Sequence, residues 1–147
     1  MDTIKLANWR EFSVTKQDIK KLHNFFLSSA LRDLKTFAGL KKLQRYDAAL
    51  FFLHLAIEKN IKALFIEKVG AHAPLSHDLV FLIGRCTVDV SENILDYMRT
   101  ISTFNVQTRY ENERFDFYKI ATKEFALEWE KKGALVLKWI EGQRKIL

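Results

Sequence analysis

The chain has 147 residues, 48% of them hydrophobic and 29% charged, with only 5 glycines and 1 proline. That composition excludes a disordered chain, and so few turn residues exclude an all-β fold. The formal net charge is +6, and Lys16 to Arg45 alone carries 8 basic and 2 acidic residues. A basic stripe of this kind is either a solvated helix face or an attractor for nucleic acid, a nucleotide phosphate or an acidic protein face.

In chain order, Met1 to Lys5 offers no apolar signal core ahead of Trp9. Thr15 followed by Asp18 reads as a capping box. Ile19, Leu22 and Phe26, then Leu27, Leu31, Leu34 and Ala38, recur at spacings of three and four, so a helix is expected from about Thr15 to Leu43. Gln44-Arg45 is the expected tight connection. The second helix, about Tyr46 to Val69, is apolar on nearly every face in its first half, which marks a central helix, and Gly70 suits its C-cap. Its most apolar run, Ala48 to Ile57, is about 10 residues where a membrane span needs about 20, so a cytoplasmic protein without a membrane partner is expected.

Ala71 to Leu75 is a loop, and Ser76 can cap a short third helix reaching Gly84. Ser91 can cap a fourth, about Glu92 to Val106, with Ile94, Leu95, Met98 and Ile101 inward. Thr108 to Arg114 is polar and expected to be irregular. A last helix, about Phe115 to Arg144, carries Tyr118, Phe125, Trp129, Val136 and Ile140 near one face. The chain therefore predicts one all-α domain over 1–147, with its core at about 15–143. Its architecture is an antiparallel up-and-down bundle of four main helices plus one short helix.

Few residues have the pattern of a chemical site. Asp47, His54, Glu58 and Lys62 are spaced 7, 4 and 4 apart and share one polar line on the apolar second helix. Such groups need partners or water. They either line a ligand groove or satisfy one another, with Glu58 and Lys62 as an i,i+4 ion pair. His54, His77, Asp78 and either Asp96 or Asp116 follow the ligand order of HD-type phosphohydrolases. The simpler alternative puts Asp78 in the first turn of a helix and His77 in a turn. Cys86 has no base near it in sequence, and no glycine-rich phosphate loop, Gly-x-Ser-x-Gly or Cys-x-x-Cys is present. Arg109, in Thr108-Arg109-Tyr110, can grip a phosphate or carboxylate by two bonds, or tie loop to helix.

The order of these pieces resembles the HEPN family (higher eukaryote and prokaryote nucleotide-binding). Arg45-Tyr46-Asp47-Ala48-Ala49-Leu50, His54-Leu55-Ala56-Ile57-Glu58-Lys59 and Lys62-Ala63-Leu64 are similar to its second helix. His77-Asp78-Leu79, Phe104-Asn105-Val106 with Thr108-Arg109-Tyr110, and Phe117 to Glu124 are similar to later family segments in the same order. The resemblance implies a helical bundle that dimerises and is encoded beside a small nucleotidyltransferase, as a toxin–antitoxin or substrate-binding pair. It also implies that some relatives are metal-independent ribonucleases using an Arg followed, after four to six residues, by a His.

That motif is absent: no His follows Arg85, Arg99, Arg109, Arg114 or Arg144, and eight residues separate Arg45 from His54. Where many relatives continue Arg-Tyr-Pro-Asp, this chain has Arg109-Tyr110-Glu111-Asn112. The expectation is a non-catalytic HEPN-type module, a homodimer that binds a nucleotide-like ligand, pairs with a nucleotidyltransferase, or both, without cofactor or metal. Arg109 and Tyr110 are expected to contact phosphate and ring, with Lys62, Glu58 and His54 lining the adjoining groove. The alternatives are a ribonuclease or toxin with a non-standard site drawn from Arg45, Arg109 and His54, and a metal-dependent HD-type phosphohydrolase.

Overall fold

The structure, a computed structural model, describes residues 15–144; the N-terminal stretch around Trp9 lies outside them. Those residues form six α-helices, one 3-10 turn and no strand: α1 (Lys16–Lys42), α2 (Tyr46–Val69), α3 (Leu79–Gly84), α4 (Glu92–Ser102), the 3-10 turn Val106–Thr108, α5 (Glu111–Ile120) and α6 (Lys123–Gln143). The Thr15–Asp18 capping box is complete, with the Thr15 hydroxyl accepting from the Asp18 amide and the Asp18 carboxylate from the Thr15 amide. Gly70 ends α2 in the left-handed region at φ 73°, where a residue without Cβ is at ease.

The helix α2 is central and touches α1, α3, α5 and α6. Leu50, Ile57, Ile61 and Leu64 of α2 are fully buried against Leu79, Leu82 and Ile83 of α3, Met98 and Ile101 of α4, and Val136 and Ile140 of α6. At about 25 cal/mol per Å² of apolar surface removed from water, this shared interior is the main stabilising contribution.

The contact between α1 and α2 differs from the expected leucine seam. Leu31 is 62% exposed, and the inward face of α1 carries His23, Ser29, Ala30, Asp33 and Phe37. The polar members find partners on α2. Lys59 Nζ donates to Ser29 Oγ at 2.8 Å and to Asp33 Oδ2 at 2.6 Å, and His23 Nε2 lies 2.8 Å from Glu67. Residue numbers fall on one helix as they rise on the other, so the two run antiparallel.

Four boundaries also depart from expectation, the first being that α5 begins at Glu111, inside the stretch expected to be irregular. The final helix is two helices, α5 and α6, because Thr122 turns extended and its hydroxyl accepts from the Phe125 amide at 3.2 Å, capping α6. Tyr118, expected on an inward face, is therefore 60% exposed on α5. Helix α4 stops at Ser102 rather than Val106, since Asn105 caps the 3-10 turn by accepting from the Gln107 amide. Asp78, not Ser76, caps α3, accepting from the amides of Val80 and Phe81, while Ser76 Oγ accepts from the Asp78 amide.

Candidate functional site

Two irregular segments meet over the middle of α2: the entry to α3 and the connection from α4 to α5. Each is anchored by a different force. Phe104, 1% exposed, roots the connection in an aromatic cluster, with ring centroids 5.5 Å from Phe117, 5.8 Å from Phe125 and 5.6 Å from Trp129. Beyond Phe104 the chain is knitted by its own side chains. Thr108 Oγ1 donates to the Asn105 carbonyl, and Arg114 donates through Nε to Val106 O at 2.8 Å and through a terminal nitrogen to Gln107 O. The loop-tying role thus falls to Arg114. Arg109 is spared it, and its side chain forms no ion pair or hydrogen bond among the described residues.

The α3 entry is held from α2 and α4. The Leu79 amide donates to Ser102 Oγ at 3.1 Å, and His54 Nε2 donates to the His77 carbonyl at 2.9 Å. His77 Nδ1 donates to Glu58 Oε1 at 2.8 Å, and Lys62 Nζ donates to Glu58 Oε2 at 3.1 Å. Glu58 is 4% exposed, so its carboxylate needs these donors. They fix the backbone of His77, one of its ring nitrogens and the ring plane, and leave Nε2 free to act on a ligand.

Between the two segments lies a cleft of about 280 Å³ lined by His77, Asp78, Ser102, Thr103, Asn105, Thr108 and Arg109. Every lining side chain is polar, and two of them can carry positive charge. Arg109 and Thr103 also border a hollow of about 190 Å³ that contains Glu113 and Asp116. Neither acid comes within ion-pair distance of Arg109.

The expected site residues divide by depth. Arg109 lines the cleft, whereas Tyr110, next in sequence and 79% exposed, is not among its lining residues. Glu58 and Lys62 lie beneath, reaching it through His77. His54 is completely enclosed and touches the cleft only through the His77 backbone. Burial, its largest perturbation, holds the His54 imidazole below the usual histidine range. Its Nδ1 has no hydrogen-bond partner among the described residues, as expected of a neutral ring already donating from Nε2.

Sequence reasoning offered His77 as a metal ligand or a simple turn residue, and not as part of this cleft. Its carboxylate partner lies 19 residues away, so no local spacing gives it away. Asp78 is committed to capping α3, and among the described residues no three His, Cys, Asp or Glu side chains are placed to hold a metal ion. No helix among them is long and apolar enough to cross a membrane.

Comparison with known proteins agrees with this architecture. A family profile described as HEPN domain matches residues 23–143. A crystal structure of TT1696 from Thermus thermophilus superposes with a TM-score of 0.70 at 20% identity, covering 83% of this chain and 98% of the other. The crystal structure of ST0689, an archaeal HEPN homologue, superposes with a TM-score of 0.64 at 22% identity, covering 84% and 98%. No curated protein matches the chain.

Proposed function

This chain belongs to the HEPN domain family, and from that premise we propose that it is a non-catalytic binding module for a phosphate-bearing, nucleotide-like ligand. The observation that carries the proposal is the polar cleft in which Arg109 stands unpaired beside His77, whose ring is braced by Glu58. A guanidinium gives a phosphate charge-assisted bonds in a partly desolvated place, and the His77 ring, its Nδ1–H held by Glu58, adds an Nε2–H donor as the imidazolium. Tyr110 offers a ring to the ligand's open side. The side chains beneath act by holding His77, which limits the entropy lost on binding.

Calorimetry with AMP, GTP and ATP tests this. A saturable heat is expected, and Arg109→Ala should weaken binding about tenfold or more, the worth of a charged hydrogen bond. Asp116→Asn should tighten it by removing a competing carboxylate near Arg109. No heat at about 1 mM ligand would remove the proposal.

The module acts as a homodimer and pairs with a small nucleotidyltransferase, in a toxin–antitoxin or substrate-presenting role. Family membership supports this, as do Ile120 and Leu135, which lie 55% and 53% exposed. A monomer in light scattering at high concentration would contradict the dimer, and failure to co-purify with a co-encoded transferase would contradict the pairing.

One observation favours a second reading, a metal-independent ribonuclease. His77 and Glu58 form a hydrogen-bonded imidazole–carboxylate pair in the cleft that Arg109 lines, an arrangement suited to acid–base work beside a stabilised phosphate. RNA cleavage that persists in chelator and vanishes in His77→Ala would select this reading over simple binding.

A further inference from the structure

A second cleft of about 300 Å³ lies between the turn joining α1 to α2 and the junction of α5 with α6. Its lining includes Arg45, Tyr46, Asp47, Tyr118, Lys119 and Thr122, none of which borders the His77–Arg109 cleft. The α1–α2 turn is tightly made. Gln44 sits at φ 60°, unusual for a residue with a Cβ, and the Arg45 amide donates to the Leu40 carbonyl at 2.8 Å. The backbone of Arg45 is therefore fixed while its exposed guanidinium has no ion-pair or hydrogen-bond partner among the described residues.

The opposite wall has its own unused chemistry. Tyr118 is 60% exposed and stacks on Phe115, itself 56% exposed, with ring planes 19° apart. Lys119 lies 4.5 Å from the Phe115 ring centroid and pairs with no carboxylate among the described residues. Only Phe117 of α5 is buried, and the stacked pair faces water under a lysine. Arg45 and Lys119 thus bring two cations without a carboxylate partner to one hollow that Tyr118 also lines. Asp47 is the one acid in the lining.

We propose that this cleft is a second ligand site, which takes a nucleotide unit with its phosphate between Arg45 and Lys119 and its flat ring on Tyr118. Cations flanking an exposed aromatic platform bind this pairing of charge and ring, each stacked ring contributing independently of base identity. Neither group alone explains the arrangement. A bare phosphate site has no use for the exposed ring pair. The site stands apart from the one proposed above and can exist without it.

The test is a heteronuclear NMR titration of the full chain with AMP, ribose 5-phosphate and adenosine. The amides of Gln44, Arg45, Tyr118 and Lys119 should shift saturably, with AMP tighter than either fragment. Arg45→Ala with Lys119→Ala should weaken that response about tenfold or more, and Asp47→Asn should strengthen it. Both cations are exposed, so the double variant should keep its fold, which far-UV circular dichroism checks. The response should persist in Arg109→Ala, whereas shifts at Asn105 and Thr108 should not, which separates the two sites. Absence of saturable shifts at the Gln44, Arg45, Tyr118 and Lys119 amides by about 10 mM AMP would overturn the proposal. So would equal binding of AMP and adenosine, or an unchanged response in the double variant.

Discussion

At the scale of single residues, the molecule is organised by side chains whose charges are answered from another helix. His54 shows the consequence most directly. Burial depresses its folded-state pKa below the ordinary value of about 6.5, so the neutral ring is the one the fold holds. The unfolded chain takes up the proton first as pH falls. The stability His54 contributes is therefore present above about pH 6.5 and declines as pH drops towards its folded pKa. Thermal melts from about pH 7.5 to pH 5 should show Tm falling, and His54→Phe should flatten that slope; equal slopes would mean the slope originates elsewhere. Glu58, Lys62 and His77 face the same ring, so each melt compares variants with all three intact. Cys86 is fully buried, donates to the Leu82 carbonyl at 3.3 Å, and has its pKa pushed up to about 11 by burial. Iodoacetamide at about pH 8 should modify it only at the rate of global opening, whereas fast labelling of the folded chain would show local access. The polar line Asp47, His54, Glu58 and Lys62 was legible in the sequence because helical spacing is local. Its destination was not, since His77 meets Glu58 across a loop that no periodicity describes.

At the scale of elements, the helices legible in the sequence are those whose ends carry a capping residue beside a strong apolar pattern. Helix α2 joins a strong apolar pattern to the Gly70 cap at its C-terminus, and its bounds agree. The break between α5 and α6 escaped because apolar spacing continues across Ala121-Thr122, and a threonine there reads equally well as helix interior. The inward face of α1 escaped for a related reason. Its leucine spacing marks one stripe, but the face that packs is set by Lys59 reaching Ser29 and Asp33. Close approach of helices is equally hidden. A Cβ on Gly133 of α6 would meet the Leu53 side chain of α2 at 2.9 Å, and Leu53 is itself buried. Gly133→Val should thus overpack this contact, costing about 1–3 kcal/mol and lowering Tm by several degrees. A Tm equal to or above that of the parent would show that Leu53 can yield.

At the scale of the whole molecule, α2 and the five helices around it form one interior among the described residues, and the polar clefts lie where helices end. The all-helical bundle was legible from composition and periodicity, because burying an apolar stripe on every helix leaves few other architectures. The cleft was only half legible. Arg109 stood out as an arginine in a polar connection, but its release from loop duty depends on Arg114 folding back onto Val106 and Gln107. The aromatic cluster about Phe104 then sets that connection against the α3 entry, and the two together enclose unpaired positive charge. If this is what the fold provides, the His77–Arg109 cleft should hold a phosphate ester. A crystal structure of the protein grown with saturating GMP measures this directly. The phosphate should lie within hydrogen-bond distance of the Arg109 guanidinium and His77 Nε2, whereas an empty His77–Arg109 cleft at saturation would contradict it.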